Sequence, residues 1–522
     1  FESTQTVIDL RSPYSWALAS TPYNPNPTDR SKQFFLNAAK SNDIEYGTDR
    51  ALISWYYIDR MFTMKNSSLT PAHIKNDLDQ LSNPYVREIN SREIFPNKEL
   101  NYGETSVLQT LNLSFYPQER GPYNLDGTNI DDEGNLLNPK NRWGGIMQKM
   151  DNTDFESMNI EYIQFWMMDP FLDENNPNTS GGELFFNLGE ISEDILKDGL
   201  KSAENTLPAN GDTTQIAYTV WGKVSKSPSL TFSFDNSVPR KQQDVGLNGL
   251  STDEEFVYPA YATYLEQLNS KLNVGAKERM LNDPFSPLND PAGDNYHYYR
   301  GEDYDNEQAS ILKRYKRYNG TEGNSLSEKE ANDKYYMSSR TVPDVEDINQ
   351  DYTLNEYERY YQYKVSLRPE DLEVGKNYVT DKRVATVKLR NGQETEAVWY
   401  QFKIPLKSYD TKIGSIQDFK TIRFIRMFMT DFEKETHLRF ATLELVRGEW
   451  RNYDYNPDSK VDEPVKGKLD ISVVNIEENA GQTPVNYVLP PGVTRIIDPG
   501  QSQITQLNDC LLYTSPSPRD RG

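Results

Sequence analysis

The sequence predicts a mainly β protein: a jelly-roll-like β-sandwich with a long irregular and helical insertion, flanked by extended strands. Three observations lead there. Aromatic residues make up 12% of the 522 residues and Tyr alone occurs 34 times, although the hydrophobic share is only 36%. Disordered chains are poor in aromatics, and bulky rings suit half-buried pleated surfaces, so this chain folds and favours strands. Short apolar runs alternate with period two, the signature of strands with one face on a core. Finally, these runs lie at both ends of a long polar stretch, as paired strands would around an insertion.

In chain order, residues 1–142 read as a strand and loop region. DRALISWYYIDRMF (49–62) is apolar and aromatic enough for a buried strand or short helix. SVLQTLNLSF (106–115) alternates and is ended by Pro117, and the Gly/Asp/Asn-rich run 121–141 is a turn region. A domain boundary is expected near Trp143, opening a sandwich module over 143–455. There NIEYIQFWMMDPF (159–171) is almost continuously apolar, as for a strand covered on both faces. Leu184, Phe186 and Leu188 share one face, as do Val398, Tyr400, Phe402, Ile404 and Leu406; TIRFIRMFMTDF (421–432) and LRFATLELV (438–446) complete the set. The insertion spans about 190–370 and holds one helix, Tyr258 to Leu281, with Leu265, Leu268 and Leu272 at helical spacing. Residues 456–509 read as an extended, Pro/Gly-punctuated linker to a following module. Residues 510–522 resemble the translation of a sequencing adaptor and are set aside.

Charge and chemistry narrow the function. Lys plus Arg number 56 against 79 Asp plus Glu, a net charge of −23 that repels nucleic acid and anionic headgroups. The single cysteine, Cys510, lies in the stretch set aside, which leaves no disulfide framework, zinc–thiolate site or cysteine nucleophile. No apolar run approaches the ~20 residues of a membrane-spanning helix, whereas β-barrel strands leave only a weak trace. The chain begins at Phe1 without Met, so further sequence is expected upstream.

The histidines, His73, His297 and His437, lie apart, with His437 expected at a surface or strand edge, and no nucleophile elbow, phosphate loop, dinucleotide fingerprint or zincin motif occurs. The abundant carboxylates read as a solvated acidic surface, and no catalytic residue is assigned. One constellation is sharper. Asp347, Asn349, Asp351, Thr353 and Glu358 fall at positions 1, 3, 5, 7 and 12 of an EF-hand-like loop, an oxygen-rich spacing suited to Ca²⁺. Tyr352 stands where such loops carry Gly. Asp290, Asp294, Asp303 and Asp305 form a weaker candidate set of ligands.

Several long runs carry a resemblance: YPQERGPYN (116–124), NRWGGIM (141–147), DFESMNIEYIQFWMMDPF (154–171), GELFFNLGEISEDILKDG (182–199), RKQQDVGLNGL (240–250), DPAGDNYHYYR (290–300), PDVEDINQDYTLNEYERYYQY (343–363) and IRFIRMFMTDF…LRFATLELVRGEW (422–450). Together they resemble the SprA/Sov family, giant outer-membrane proteins of Bacteroidota. The resemblance implies a non-enzymatic, internal piece of the type IX secretion translocon, whose large β-barrel conducts folded cargo to the cell surface and is linked to gliding motility. It implies other secretion components and secreted cargo as partners, a place in the outer membrane on its surface or periplasmic face, and no nucleic acid. Parts of 50–120 are then expected as barrel strands, a soluble sheet being the other reading. A cell-surface carbohydrate-binding module is the alternative function, with Trp143, Trp166, Trp221, Trp399 and Trp450 as its candidate sugar platforms.

Overall fold

The computed structural model describes residues 7–25, 35–64, 67–98, 105–172, 180–208, 211–227, 231–330 and 338–448, the backbone of Asp470–Val474 and Cys510–Thr514, and Val488. Thirteen strands form two antiparallel sheets: β1 Val7–Asp9, β2 Ala17–Leu18, β3 Ala51–Tyr56, β4 Leu111–Arg120, β5 Trp143–Lys149, β6 Ile160–Met168, β7 Gly182–Glu190, β8 Arg359–Leu367, β9 Val379–Lys388, β10 Glu394–Pro405, β11 Thr411–Ile413, β12 Phe424–Thr430 and β13 Thr436–Arg447. One sheet runs β9-β10-β6-β13-β4-β3, with β1 also on β13; the other runs β11-β8-β7-β12-β5-β2. The chain passes between the sheets at β1–β2, β2–β3, β4–β5, β5–β6, β6–β7, β8–β9, β10–β11 and β12–β13, the jelly-roll-like crossing the sequence predicts.

Alternation explains the layering. Phe165, Phe402, Phe440 and Phe186 meet between the sheets, with Phe165 stacked 4.7 Å from Phe402. Leu184, Phe186 and Leu188 of β7 face this core, as do Tyr400, Phe402 and Ile404 of β10. The intervening residues are also covered: Trp166 and Trp399 pack outward against Tyr85, Ile89 and Ile94, while Phe185 and Phe428 pack outward against Trp143 and Phe35. Loops thus cover both outer faces, which is why 159–171 carries apolar residues without alternation.

Five expectations are corrected. The boundary placed at Trp143 runs through the sandwich: β3 and β4 pair with each other, and β4 pairs with β13. Their apolar alternation is satisfied by the sandwich core, and no closed barrel occurs among the described residues. The helix expected over 258–281 is broken into α2 Pro259–Lys271 and α3 Val274–Asn282, because Leu272 is extended and the Asn273 side chain caps the N–H of Ala276. His437 is buried within β13 rather than at a surface or edge. The acids are far from uniformly solvated: Glu193, Asp194, Glu204, Asp244, Glu255, Asp290, Asp294 and Glu346 are all buried. Of the segment read as a linker and tail, most lies outside the described residues, and Asp470–Val474 pairs antiparallel with Cys510–Thr514.

The insertion leaves one hairpin. Glu190 at the end of β7 sits opposite Arg359 at the start of β8, and residues 191–358 loop out between them. This segment contains α1 Thr252–Glu255, α2, α3, α4 Glu302–Asn306 and α5 Ile311–Tyr315, a short antiparallel pair of Ile216–Tyr218 with Lys223–Ser225 and two 3-10 turns, and is elsewhere irregular. It folds back on β3 and β4, where Tyr315 stacks 4.4 Å from Tyr56 and Lys316 bonds Glu119 at 2.5 Å.

Candidate functional site

An irregular segment has backbone N–H groups that no helix or strand satisfies, and buried donors need acceptors. The insertion supplies them from its acidic side chains. Around residue 290 this produces a knot of carboxylates. In the turn Asp290-Pro-Ala-Gly-Asp294, Gly293 adopts φ +77, and the two Asp290 oxygens accept the N–H groups of Gly293 at 2.8 Å and Asn295 at 3.2 Å. Glu255, closing α1, accepts the Ala292 N–H at 2.9 Å on one oxygen and Asn248 Nδ2 at 2.7 Å on the other. Asp294 Oδ2 accepts the Tyr123 hydroxyl at 2.6 Å, a contact from the turn after β4. Gly246 permits that approach, because a Cβ there would lie 2.1 Å from Asp294 Oδ2.

Ligand-capable oxygens of Glu255, Asp290 and Asp294 lie within 4.8 Å of one another, the one such trio of His, Cys, Asp or Glu among the described residues. Glu322 joins electrostatically, and its oxygens accept the N–H and the hydroxyl of Thr252, each at 3.0 Å. Burial pushes the Glu255 and Asp294 carboxyls well above their ordinary range, and the neighbouring acids push them further. Burial and the Glu255 charge push Glu322 up to about 8. Asp290 is raised by burial as well, but Arg120 and Arg317 oppose the shift. Arg120 also holds this turn from β4, donating to the carbonyls of Asp290 and Pro291.

The EF-hand-like loop is assembled differently from its expectation. Asp347 Oδ2 and the Tyr352 carbonyl are bridged by Lys201 Nζ at 3.2 and 3.0 Å, so an ammonium holds the loop's first acid. Glu358 is turned into the sandwich, where Arg426 grips both oxygens at 3.1 and 3.0 Å. Asn349, Asp351 and Thr353 bond to one another, and Tyr352 adopts φ +69 while largely exposed. The five residues therefore do not converge as a ligand set, since two native cations already claim its end carboxylates. Of the weaker set, Asp290 and Asp294 meet, whereas Asp303 pairs with His297 and Asp305 with Arg314.

Two arrangements went unread in the sequence. Glu255 lies 35 positions before Asp290 and Glu322 lies 28 after Asp294, within no motif. A Ser114–His437–Glu435 relay, with contacts of 2.7 and 2.9 Å, resembles a catalytic triad in order. Ser114 is fully buried in a central strand, however, and its Oγ is also bonded to the Tyr56 hydroxyl at 2.9 Å. Trp143, Trp166, Trp221 and Trp399 are buried too, so none of them offers a sugar platform; Trp450 lies outside the described residues.

A family model described as a motility related/secretion protein, SprA_N, matches residues 263–515. This match supports the assignment to the SprA/Sov family. The match starts inside α2, takes in Asp290, Asp294 and Glu322, and continues through β8 to β13. No curated protein matches the chain. The match points to a role in motility and secretion, and no helix among the described residues is long and apolar enough to cross a membrane.

Proposed function

We propose that this chain is a non-enzymatic part of the outer-membrane protein-translocation channel of type IX secretion, supplying a rigid scaffold on which other secretion components or cargo dock. The observation that carries this reading is the family match, which takes in the insertion from residue 263 onward together with the returning strands. The architecture is consistent with it: the sandwich buries its large aromatics, while the insertion exposes scattered apolar side chains such as Tyr218, Val257 and Val274. A scaffold spreads its function over such surface and needs no converging catalytic groups.

The test places a photo-crosslinking amino acid at Tyr218, Val257 or Val274 in a gliding bacterium that carries the full-length protein. Adducts to secretion components or cargo are expected, together with lost secretion when residues 191–358 are replaced by a short turn at normal protein level. Normal secretion and gliding in that deletion strain would overturn the scaffold reading. Glycan binding by the wild-type chain would instead favour the carbohydrate-binding alternative.

A further inference from the structure

Ionised, the carboxylate knot would hold more negative charge than its surroundings neutralise. Glu255, Asp290, Asp294 and Glu322 contribute four carboxylates, and the two guanidiniums acting on them, Arg120 and Arg317, both bear on Asp290. Fully ionised, the group is short of two positive charges, the charge of one divalent cation. Burying like charges together is costly unless something compensates them.

A second observation is independent of the count. Every carboxylate oxygen of Glu255, Asp290 and Glu322 accepts a hydrogen bond, as does Asp294 Oδ2. Asp294 Oδ1 accepts none, although Asp294 is only 1% exposed. A buried carboxylate oxygen without a donor forfeits its hydration and gains nothing in return. Asp294 also lines a cavity of about 70 Å³, together with Tyr123, Gly293, Asn295 and Thr321. A cavity of that size has room for water beside Asp294.

We propose that Glu255, Asp290 and Asp294 bind one Ca²⁺ ion, with Asp294 Oδ1 as the principal ligand and Glu322 neutralising charge from behind. The donor set is all oxygen, which suits a hard cation and excludes the softer metals that select nitrogen or sulfur. Ca²⁺ fits better than Mg²⁺ because backbone hydrogen bonds already fix these carboxylates. Ca²⁺ tolerates an irregular shell of six to eight oxygens, whereas Mg²⁺ demands a near-ideal octahedron. The ion would tie α1 to the 290–294 turn, and through Tyr123 and Arg120 to the end of β4, fastening the insertion to the sandwich.

The test uses the 522-residue chain stripped of metal at pH 7.5, with Tb³⁺ as the probe. Tyr123, bonded to Asp294, and Tyr261, bonded to Asn248 beside Glu255, can sensitise Tb³⁺ emission. The expected result is saturable emission at one ion per chain, displaced by Ca²⁺ at concentrations at least tenfold below those of Mg²⁺. Ca²⁺ should also raise Tm, by a shift that grows with its concentration above Kd. Asp294→Asn keeps the shape and should weaken Ca²⁺ binding at least tenfold, while Asp351→Asn in the EF-hand-like loop should leave it unchanged. The wild-type titration decides by itself should Asp294→Asn fold poorly: no saturable, Ca²⁺-displaceable emission together with no Ca²⁺ effect on Tm overturns the site. Retention of wild-type affinity by a folded Asp294→Asn chain overturns it equally.

Discussion

Glu358 and Glu346 are both buried carboxylates near the base of the insertion, yet they are held in opposite ways. Glu358 leads into β8, and both its oxygens meet the guanidinium of Arg426 on β12, one of them also accepting the Ser192 N–H at 3.2 Å. Glu346 lies in irregular chain and is not gripped by a cation, the Arg50 guanidinium acting on it only through space; it accepts the N–H groups of Ile195 at 2.7 Å, Leu196 at 3.2 Å and Ser202 at 3.0 Å. The same contrast recurs. In the layers around the sheets Arg87 grips Glu93 twice at 2.8 Å, whereas in the insertion Glu193 accepts the N–H groups of Ile348 and Asn349, and Asp244 those of Gly323 and Ser325. Strands satisfy their own backbone, so a buried acid among them must find a charged side chain. An irregular segment has donors to spare, and its acids act as the acceptors that regular structure would otherwise provide.

The largest expected effect separates these two modes. Arg426→Leu strands Glu358 in a layer with no other cation bonded to it, and breaking a buried pair from one side costs about 3–5 kcal/mol. Urea denaturation should show that loss. Adding Glu358→Gln should recover most of it, because the stranded charge and not the missing contact dominates. If the double variant is as unstable as the single, the pair works through packing and the contrast with Glu346 weakens.

The insertion's mode is sharpened by pH. Burial pushes Asp198 up to about 6, Glu193 and Asp244 to about 7, and Glu322 to about 8. Each folded carboxyl then holds its proton at a pH where the unfolded chain has released it. Stability from these groups is fully present below their unfolded values near 4, and is lost as pH rises through about 6 to 8. Glu358 is raised by burial too, but the Arg426 charge works against that rise. In metal-free buffer Tm should therefore fall between about pH 5 and pH 8, and Glu322→Gln should flatten the upper part of that slope. A Tm that climbs over the same interval would mean the acids are ionised and compensated in the folded state.

The same division decides what could be read from sequence. The sandwich was legible because period-two alternation is local: Leu184, Phe186 and Leu188 declare their face within five residues. The part played by residues 50–120 was not, since the choice between barrel and sandwich rests on the partner of β4, and that partner, β13, lies more than three hundred residues away. Within the site, Asp290 and Asp294 were visible as a turn-borne pair, but Glu255 and Glu322 were not, because an acid that caps a distant turn looks like any exposed acid. The EF-hand-like spacing misled for the converse reason. It is a local pattern whose outcome was set by Lys201 and Arg426, both remote in sequence.

That loop gives the smallest expected effect and the closest control on the knot. Asp351 is exposed; its oxygens accept hydrogen bonds from the Thr353 N–H and hydroxyl and from Asn349 Nδ2, and Oδ2 lies 3.7 Å from Arg423 Nη1 in a solvent-screened ion pair. Removing such bonds at a solvated turn should cost about 1 kcal/mol or less, since water replaces the lost partner. Asp351→Ala should therefore unfold within a few degrees of wild type and respond to Ca²⁺ as wild type does. The knot carries four buried acids on two opposing guanidiniums, whereas in the loop Lys201 and Arg426 already hold Asp347 and Glu358, so the pull on an added cation belongs to the knot. Scanning calorimetry of Asp351→Ala and Asp294→Asn, with and without Ca²⁺, tests that order: loss of the Ca²⁺ response in Asp351→Ala alone would reverse the two regions' roles.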